Sequence, residues 1–180
     1  PESLEKEDVL KTHKSDAYSF ANSFVHALCI LQSALKQYES ALDTCSVEVL
    51  LKVGTLLPEI AVHEKSIDFF IELLRKDQLD ENISREPLEK CIAYFQTLYD
   101  VHLSHEKVDC TILMSDQVRV LLAANDCVNI DTSRLKLALL PGQETSDISI
   151  LMKDLESQNN DIRLSCRKIK RRIPQQEGVT

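Results

Sequence analysis

The sequence has little glycine, proline or tryptophan: its 180 residues include three Gly, five Pro and no Trp. An all-β fold needs many tight turns, which are rich in glycine and proline, so this composition argues against one. No uninterrupted apolar run approaches the roughly 18 residues that a membrane-spanning helix requires. The motifs G-x-G-x-x-G, G-x-x-x-x-G-K and G-x-S-x-G are also missing. These absences predict a helical protein that is not an enzyme.

Six cysteines are present, and none forms a C-x-x-C pair. Most lie in apolar stretches with helical spacing, which indicates small buried thiols in a reducing compartment. The groupings closest to a metal site are His102 and His105 with Glu106, and Glu59 with His63. A di-iron bundle requires Glu-x-x-His on two helices, and no Glu stands three residues before any His here. The sequence therefore predicts no metal, no cofactor and no catalytic residue.

The charge is uneven along the chain. The whole chain carries a net charge of −8, which argues against general nucleic-acid binding. One cluster near the C-terminal end is nevertheless basic, and it consists of Arg163, Arg167, Lys168, Lys170, Arg171 and Arg172. These residues could complement the dipole of a helix C-terminus. Two other hypotheses stay open, namely contact with an acidic protein partner or sister domain, and contact with nucleic acid.

Asp16–Asp43 is predicted to be a long amphipathic helix, because apolar residues recur at alternating steps of four and three. These residues are Ala17, Ala21, Phe24, Leu28, Leu31, Leu35, Tyr38 and Leu42. A neighbouring row of Phe20, Ala27, Ala34 and Ala41 widens the apolar face beyond what a two-stranded coiled coil needs. We therefore expect the other helices of this chain to cover it.

Capping residues and prolines divide the remaining chain into helices. Ser46 is a good N-cap for a second helix, which Pro58 should kink or break. A third helix is expected behind Ser84 or Glu86, with Pro87 in its first turn and its end near His105.

The last two predicted helices are long. Asp109 or Thr111 should cap the fourth, which ends at Pro141-Gly142. The fifth should begin near Thr145–Asp147 and end at Pro174. The predicted core-facing row of the fourth helix is Met114, Val118, Leu121, Asn125, Val128, Thr132, Leu135 and Leu139. That of the fifth is Ile148, Met152, Leu155, Asn159, Ile162, Cys166, Ile169 and Ile173.

Asn159 is a polar residue on an apolar row, and two interpretations stay open. It could fix the register of packed helices, as polar residues do in coiled coils. It could instead mark an edge that faces water.

The predicted fold class is all-α, an up-and-down bundle of about five to six helices with short connections. We expect residues 1–15 to be a loose or partly helical lead-in, residues 16–174 to form the bundle, and residues 175–180 to be a polar tail. Because the sequence opens on Pro1 rather than Met, we expect it to be part of a longer protein.

Several stretches in chain order are similar to a known family. They include Cys45-Ser46-Val47-Glu48-Val49, Lys52-Val53-Gly54, Pro58-Glu59, His63-Glu64, Ile71-Glu72-Leu73-Leu74, Lys76–Glu81, Glu86-Pro87-Leu88, Asp109-Cys110-Thr111, Gly142-Gln143-Glu144 and the helix end from Asp161 to Arg172. Over roughly residues 17–174 the chain resembles the large (Glued) subunit family of dynactin, in the globular intercoil region between its two long coiled coils.

This resemblance implies a non-catalytic scaffold that supports dynein-driven cargo transport toward microtubule minus ends in the cytoplasm. It also implies a homodimer held by flanking coiled coils, with other dynactin subunits, dynein and cargo adaptors as partners. The family's microtubule-binding domain and its dynein intermediate-chain contact belong to segments that this sequence does not match. An alternative is a structural spacer that sets the angle between two coiled coils and binds no partner.

Overall fold

The computed structural model describes residues 15–139, 142–143 and 145–174, which contain six helices and no strand. The helices are α1 (Ser15–Thr44), α2 (Val47–Gly54), α3 (Leu57–Arg75), α4 (Glu86–His102), α5 (Cys110–Leu137) and α6 (Asp147–Arg172). The prediction of an all-α up-and-down bundle of five to six helices is confirmed. The predicted lead-in, apart from Ser15, and the predicted tail lie outside the described residues, as does Pro141.

Local signals fix most of the helix boundaries. The Ser46 side chain accepts a hydrogen bond from the Val49 N–H at 3.3 Å, as expected of an N-cap. Pro58 breaks the second predicted helix in two, because it lacks an N–H and is tolerated only in a first helical turn. The connecting loop before α4 contains Asp77, whose φ of 53° lies in the left-handed region.

Two predicted boundaries are shifted. Arg85 occupies the N-cap position of α4, so neither Ser84 nor Glu86 is its cap, although the Ser84 hydroxyl accepts from the Glu86 N–H. The same helix ends at His102, three residues before the predicted end. For α5 the prediction holds, because the Asp109 carboxylate accepts from the Thr111 N–H at 2.7 Å.

The described residues divide into two compact units. Residues 27–117 form the middle unit, and residues 15–26 with 118–174 form the terminal unit. The boundary falls within α1 and within α5. The prediction of a single bundle domain over residues 16–174 stays a prediction.

The middle unit buries apolar and aromatic side chains. Ala41, Val53, Leu98 and Leu103 form a buried cluster. Around it pack the partly buried side chains of Tyr38, Leu42, Val49, Leu56, Ile60, Tyr94, Tyr99 and Val108. The small residues Ala27, Ala34 and Ala41 of α1 are all buried, so the widened face of this helix is covered within the chain as predicted.

The terminal unit is built on an antiparallel pair, α5 and α6. Arg163 on α6 forms an ion pair with Asp126 on α5, and the Lys136 ammonium lies 2.6 Å from the Glu156 carboxylate. Asp126 precedes Lys136 on α5, whereas its partner Arg163 follows Glu156 on α6. The two helices therefore run in opposite directions. The first turns of α1 contact α5 through the Ser19 hydroxyl, which donates to Asp131 at 3.0 Å.

The predicted core-facing rows of α5 and α6 are half wrong. On α5 the structure buries Val118, Asn125 and Thr132 and exposes Met114, Leu121, Val128 and Leu135. On α6 it buries Met152, Asn159 and Cys166 and exposes Ile148, Ile162 and Ile169. Each predicted row therefore consists of two neighbouring rows, of which only the more polar one is buried. If the more apolar row were chosen as the buried one on each helix, the choice would be wrong in this unit.

Candidate functional site

The six residues of the predicted basic cluster have different environments. Arg163 is partly buried and bound to Asp126, so it stabilises the packing of α6 on α5. The remaining five, Arg167, Lys168, Lys170, Arg171 and Arg172, are exposed. They form no ion pair with any residue that the structure describes. We call these five residues the basic patch.

The basic patch lies in the last two turns of α6, where the backbone carbonyls point toward the helix end. Lys170, Arg171 and Arg172 belong to the last turn, so they complement the negative end of the helix dipole. That role is worth only about 0.3–1 kcal/mol for each exposed cation. Five cations within six residues exceed what the dipole requires, and they surround the exposed Ile169 with positive charge.

Asn159 is buried, with 7% of its surface exposed, so the interpretation of a water-facing edge is wrong. Asn125 on α5 is buried as well, at 4%. Neither polar side-chain atom of Asn125, nor the amide nitrogen of Asn159, has a hydrogen-bond partner within the described residues. Burying such groups costs free energy, so this helix pair packs on its less favourable rows.

An exposed apolar area on α2 and the start of α3 was not predicted from the sequence. Val47, Leu50 and Leu51 on α2 and Leu57 on α3 are all exposed. The opposite side of α2 buries Val53, so this short helix is apolar on two faces. The available signal was that only Glu48 and Lys52 are polar in Val47–Gly54, which leaves more apolar residues than one buried face of a surface helix requires.

One of the two groupings closest to a metal site, Glu59 with His63, makes other contacts. The His63 ring stacks on Tyr94 with 4.2 Å between the ring centroids. The Tyr94 hydroxyl donates to a Glu59 carboxylate oxygen at 3.3 Å. Burial and the neighbouring Glu59 charge raise the pKa of Tyr94 above its usual value. In the described ranges, no group of three or more His, Cys, Asp or Glu side chains could hold a metal ion.

All six cysteines are free thiols. Cys91 and Cys166 are buried, and burial raises the pKa of the Cys91 thiol, which keeps it protonated and unreactive near neutral pH. Cys110 differs from the prediction of buried thiols, because it is exposed at the first residue of α5.

The structure gives no membrane-crossing candidate: within the described residues, no helix has both the length and the apolarity that a bilayer demands.

The family described as "Dynactin: Dynein associated protein" matches residues 2–173 of this chain. Three relatives named "Dynactin subunit 1" are similar over most of it. The Xenopus laevis protein is 52% identical over 161 residues, which is 89% of this chain and 13% of the relative. The Gallus gallus protein is 49% identical over 165 residues, 92% of this chain and 14% of the relative. The Drosophila melanogaster protein is 34% identical over 179 residues, 99% of this chain and 14% of the relative.

Proposed function

Because the chain belongs to the dynactin family of dynein-associated proteins, we propose that it is a non-catalytic scaffold module of the dynactin arm. In this role it links two coiled coils, offers a protein-binding surface and supports dynein-driven transport toward microtubule minus ends in the cytoplasm. The chain covers only 13–14% of the relatives it matches, so these activities are those of a larger protein to which this module contributes.

The proposed partners are other dynactin subunits, cytoplasmic dynein and cargo adaptors, and the flanking coiled coils would hold the full-length protein as a homodimer. Microtubule binding is not expected from this segment. The family description and the relatives' names point to a subunit of an assembly rather than to an enzyme.

The basic patch is the observation that favours a binding surface over a spacer. A spacer needs a rigid core and a soluble exterior, and mixed surface charge provides solubility best. Concentrating five cations at one helix end, in a chain with a net charge of −8, instead favours an acidic partner. Nucleic acid is disfavoured because the rest of the chain is acidic.

The test is a charge reversal in the full-length protein. A variant with Arg167→Glu, Lys168→Glu and Arg171→Glu should lose at least one contact in pull-downs of dynactin subunits, dynein and cargo adaptors. The matched control reverses three exposed lysines elsewhere, with Lys52→Glu, Lys65→Glu and Lys153→Glu, and should keep every contact. If the patch variant also keeps all contacts, the binding-surface proposal fails and the spacer alternative is favoured.

A further inference from the structure

The terminal unit exposes two apolar rows at intervals of seven residues. On α5 the row is Leu121, Val128 and Leu135, each more than two-fifths exposed. On α6 the row is Ile148, Leu155, Ile162 and Ile169, of which Leu155 is half-buried and the others are exposed. Single exposed apolar residues are normal on soluble proteins, whereas exposed apolar residues aligned along two packed helices indicate an interaction surface.

The two rows lie on the same side of the helix pair. On each helix the exposed row follows the buried row by three residues, as Val128 follows Asn125 and Ile162 follows Asn159. Three residues correspond to a rotation of about 60° in the same sense on both helices. For two antiparallel helices that face each other, equal rotations bring both rows to one side of the plane through their axes.

The two ion pairs between α5 and α6 also show which residues of the two exposed rows lie opposite each other along the helix axes. Asp126 lies opposite Arg163, so Val128, two residues further along α5, lies opposite Ile162. A step of seven residues in either direction gives the next matched pairs, Leu121 with Ile169 and Leu135 with Leu155. The result is three apolar rungs about 10.5 Å apart along the helix pair.

The charges beside these rungs are self-complementary. Along the outer edge of the exposed row on α6, Asp154 and Asp161 come first and Lys168 and Arg172 follow, and all four are exposed. If a second α6 crosses this one in the antiparallel direction about a two-fold axis at the middle rung, each acidic half faces a basic half. An isologous interface requires this kind of self-complementarity.

We propose that the rungs formed by α5 and α6 are a homodimer interface, in which the helix pairs of two copies pack face to face as a four-helix bundle. The rungs of both copies then form a continuous apolar core, as in up-and-down bundles. This arrangement explains why the helix pair packs internally on the more polar of its two rows, since the more apolar row is used between copies. The interface does not depend on the flanking coiled coils, nor does the proposal rest on the partners proposed above.

The first test measures the mass of the purified 180-residue chain by light scattering over a range of concentrations. The wild-type mass should rise from that of the 20.4 kDa monomer toward twice that value. Ile162→Glu and Val128→Glu should weaken the dimer by at least about tenfold, because each places a charge in the apolar core. Both positions are exposed in the monomer, so circular dichroism should show unchanged helix content.

The matched control is Leu164→Glu, which adds the same charge to an exposed residue on the opposite side of α6. It should dimerise like the wild type. A wild-type chain that stays monomeric at all concentrations overturns the proposal. That result would favour a helix of another protein as the binding partner of the rungs. A dimer that Ile162→Glu leaves intact, or that Leu164→Glu dissociates equally, also overturns it.

A second test addresses the antiparallel arrangement. One variant carries Asp154→Lys and Asp161→Lys, and the other carries Lys168→Asp and Arg172→Asp. Each should be monomeric alone, because like charges then face each other across the two-fold axis. An equimolar mixture should form heterodimers at low salt. If the mixture stays monomeric while the wild type dimerises, the antiparallel pairing of α6 with α6 is wrong.

Discussion

The middle unit and the terminal unit differ in what their helices bury. In the middle unit the deepest positions are apolar, as at Leu88, Leu98 and Leu103, and aromatic rings pack around them. In the terminal unit the helix pair buries Asn125, Thr132 and Asn159 beside Ile130 and Met152, while Leu121, Val128 and Ile162 stay exposed. Both units expose apolar side chains, so the difference between them lies in their buried positions. The core of the middle unit is mainly apolar, whereas the helix pair of the terminal unit buries more polar side chains.

The largest expected effect comes from the core of the middle unit. Leu98→Ala removes a side chain that is 4% exposed from the central cluster, so the free energy of unfolding should fall by about 2–5 kcal/mol. Urea denaturation followed by circular dichroism measures this change. Ile150→Ala, at an exposed position of the terminal unit, should change the free energy of unfolding by about 0.5 kcal/mol or less. Equal effects of the two substitutions would remove the contrast between the units.

A smaller effect of opposite sign is expected in the terminal unit. Asn125→Leu replaces a buried amide that lacks partners within the described residues, so it should raise the free energy of unfolding by about 1 kcal/mol. The control Asn160→Leu changes an exposed residue of α6 and should be nearly neutral. Clear destabilisation by Asn125→Leu would mean that the buried polar row contributes stability.

The smallest expected effect concerns the ion pair between α5 and α6. Asp126→Asn removes one charge from a pair that is partly exposed, so the loss should be below about 1 kcal/mol. The loss should shrink further in 1 M NaCl because solvent ions screen the pair. Glu86→Gln, which breaks an exposed pair with Lys90 in the middle unit, serves as the reference. An Asp126→Asn effect that salt does not change would show that the contact acts through packing instead.

Local features were predictable from the sequence because their causes are local. Ser46 caps a helix through its own side chain, and Pro58 breaks one through its missing N–H. The row from Met114 to Leu139 also predicted one long fourth helix, and α5 is a single helix over Cys110–Leu137. The family resemblance is confirmed by the match over residues 2–173.

The orientation of α5 and α6 was not predictable in the same way. The row with Asn159 and the row with Ile162 lie side by side, so periodicity alone joins them into one broad face. Which row is buried depends on the register between two helices, which the pairs Asp126–Arg163 and Lys136–Glu156 set across 37 and 20 residues of sequence. The environment of Arg163 was missed for the same reason, because its partner lies on another helix.

The spacing of the exposed rows also limits the length of any interface they form. On a straight α-helix, residues seven apart drift by about 20° per step, so the row from Leu121 to Leu135 turns by about 40°. A longer contact would require the helices to wind around each other in a left-handed supercoil. The three rungs therefore define a footprint of about 21 Å along the helices. A contact this short is suited to repeated opening and closing, and its occupancy should follow the local concentration of the second copy.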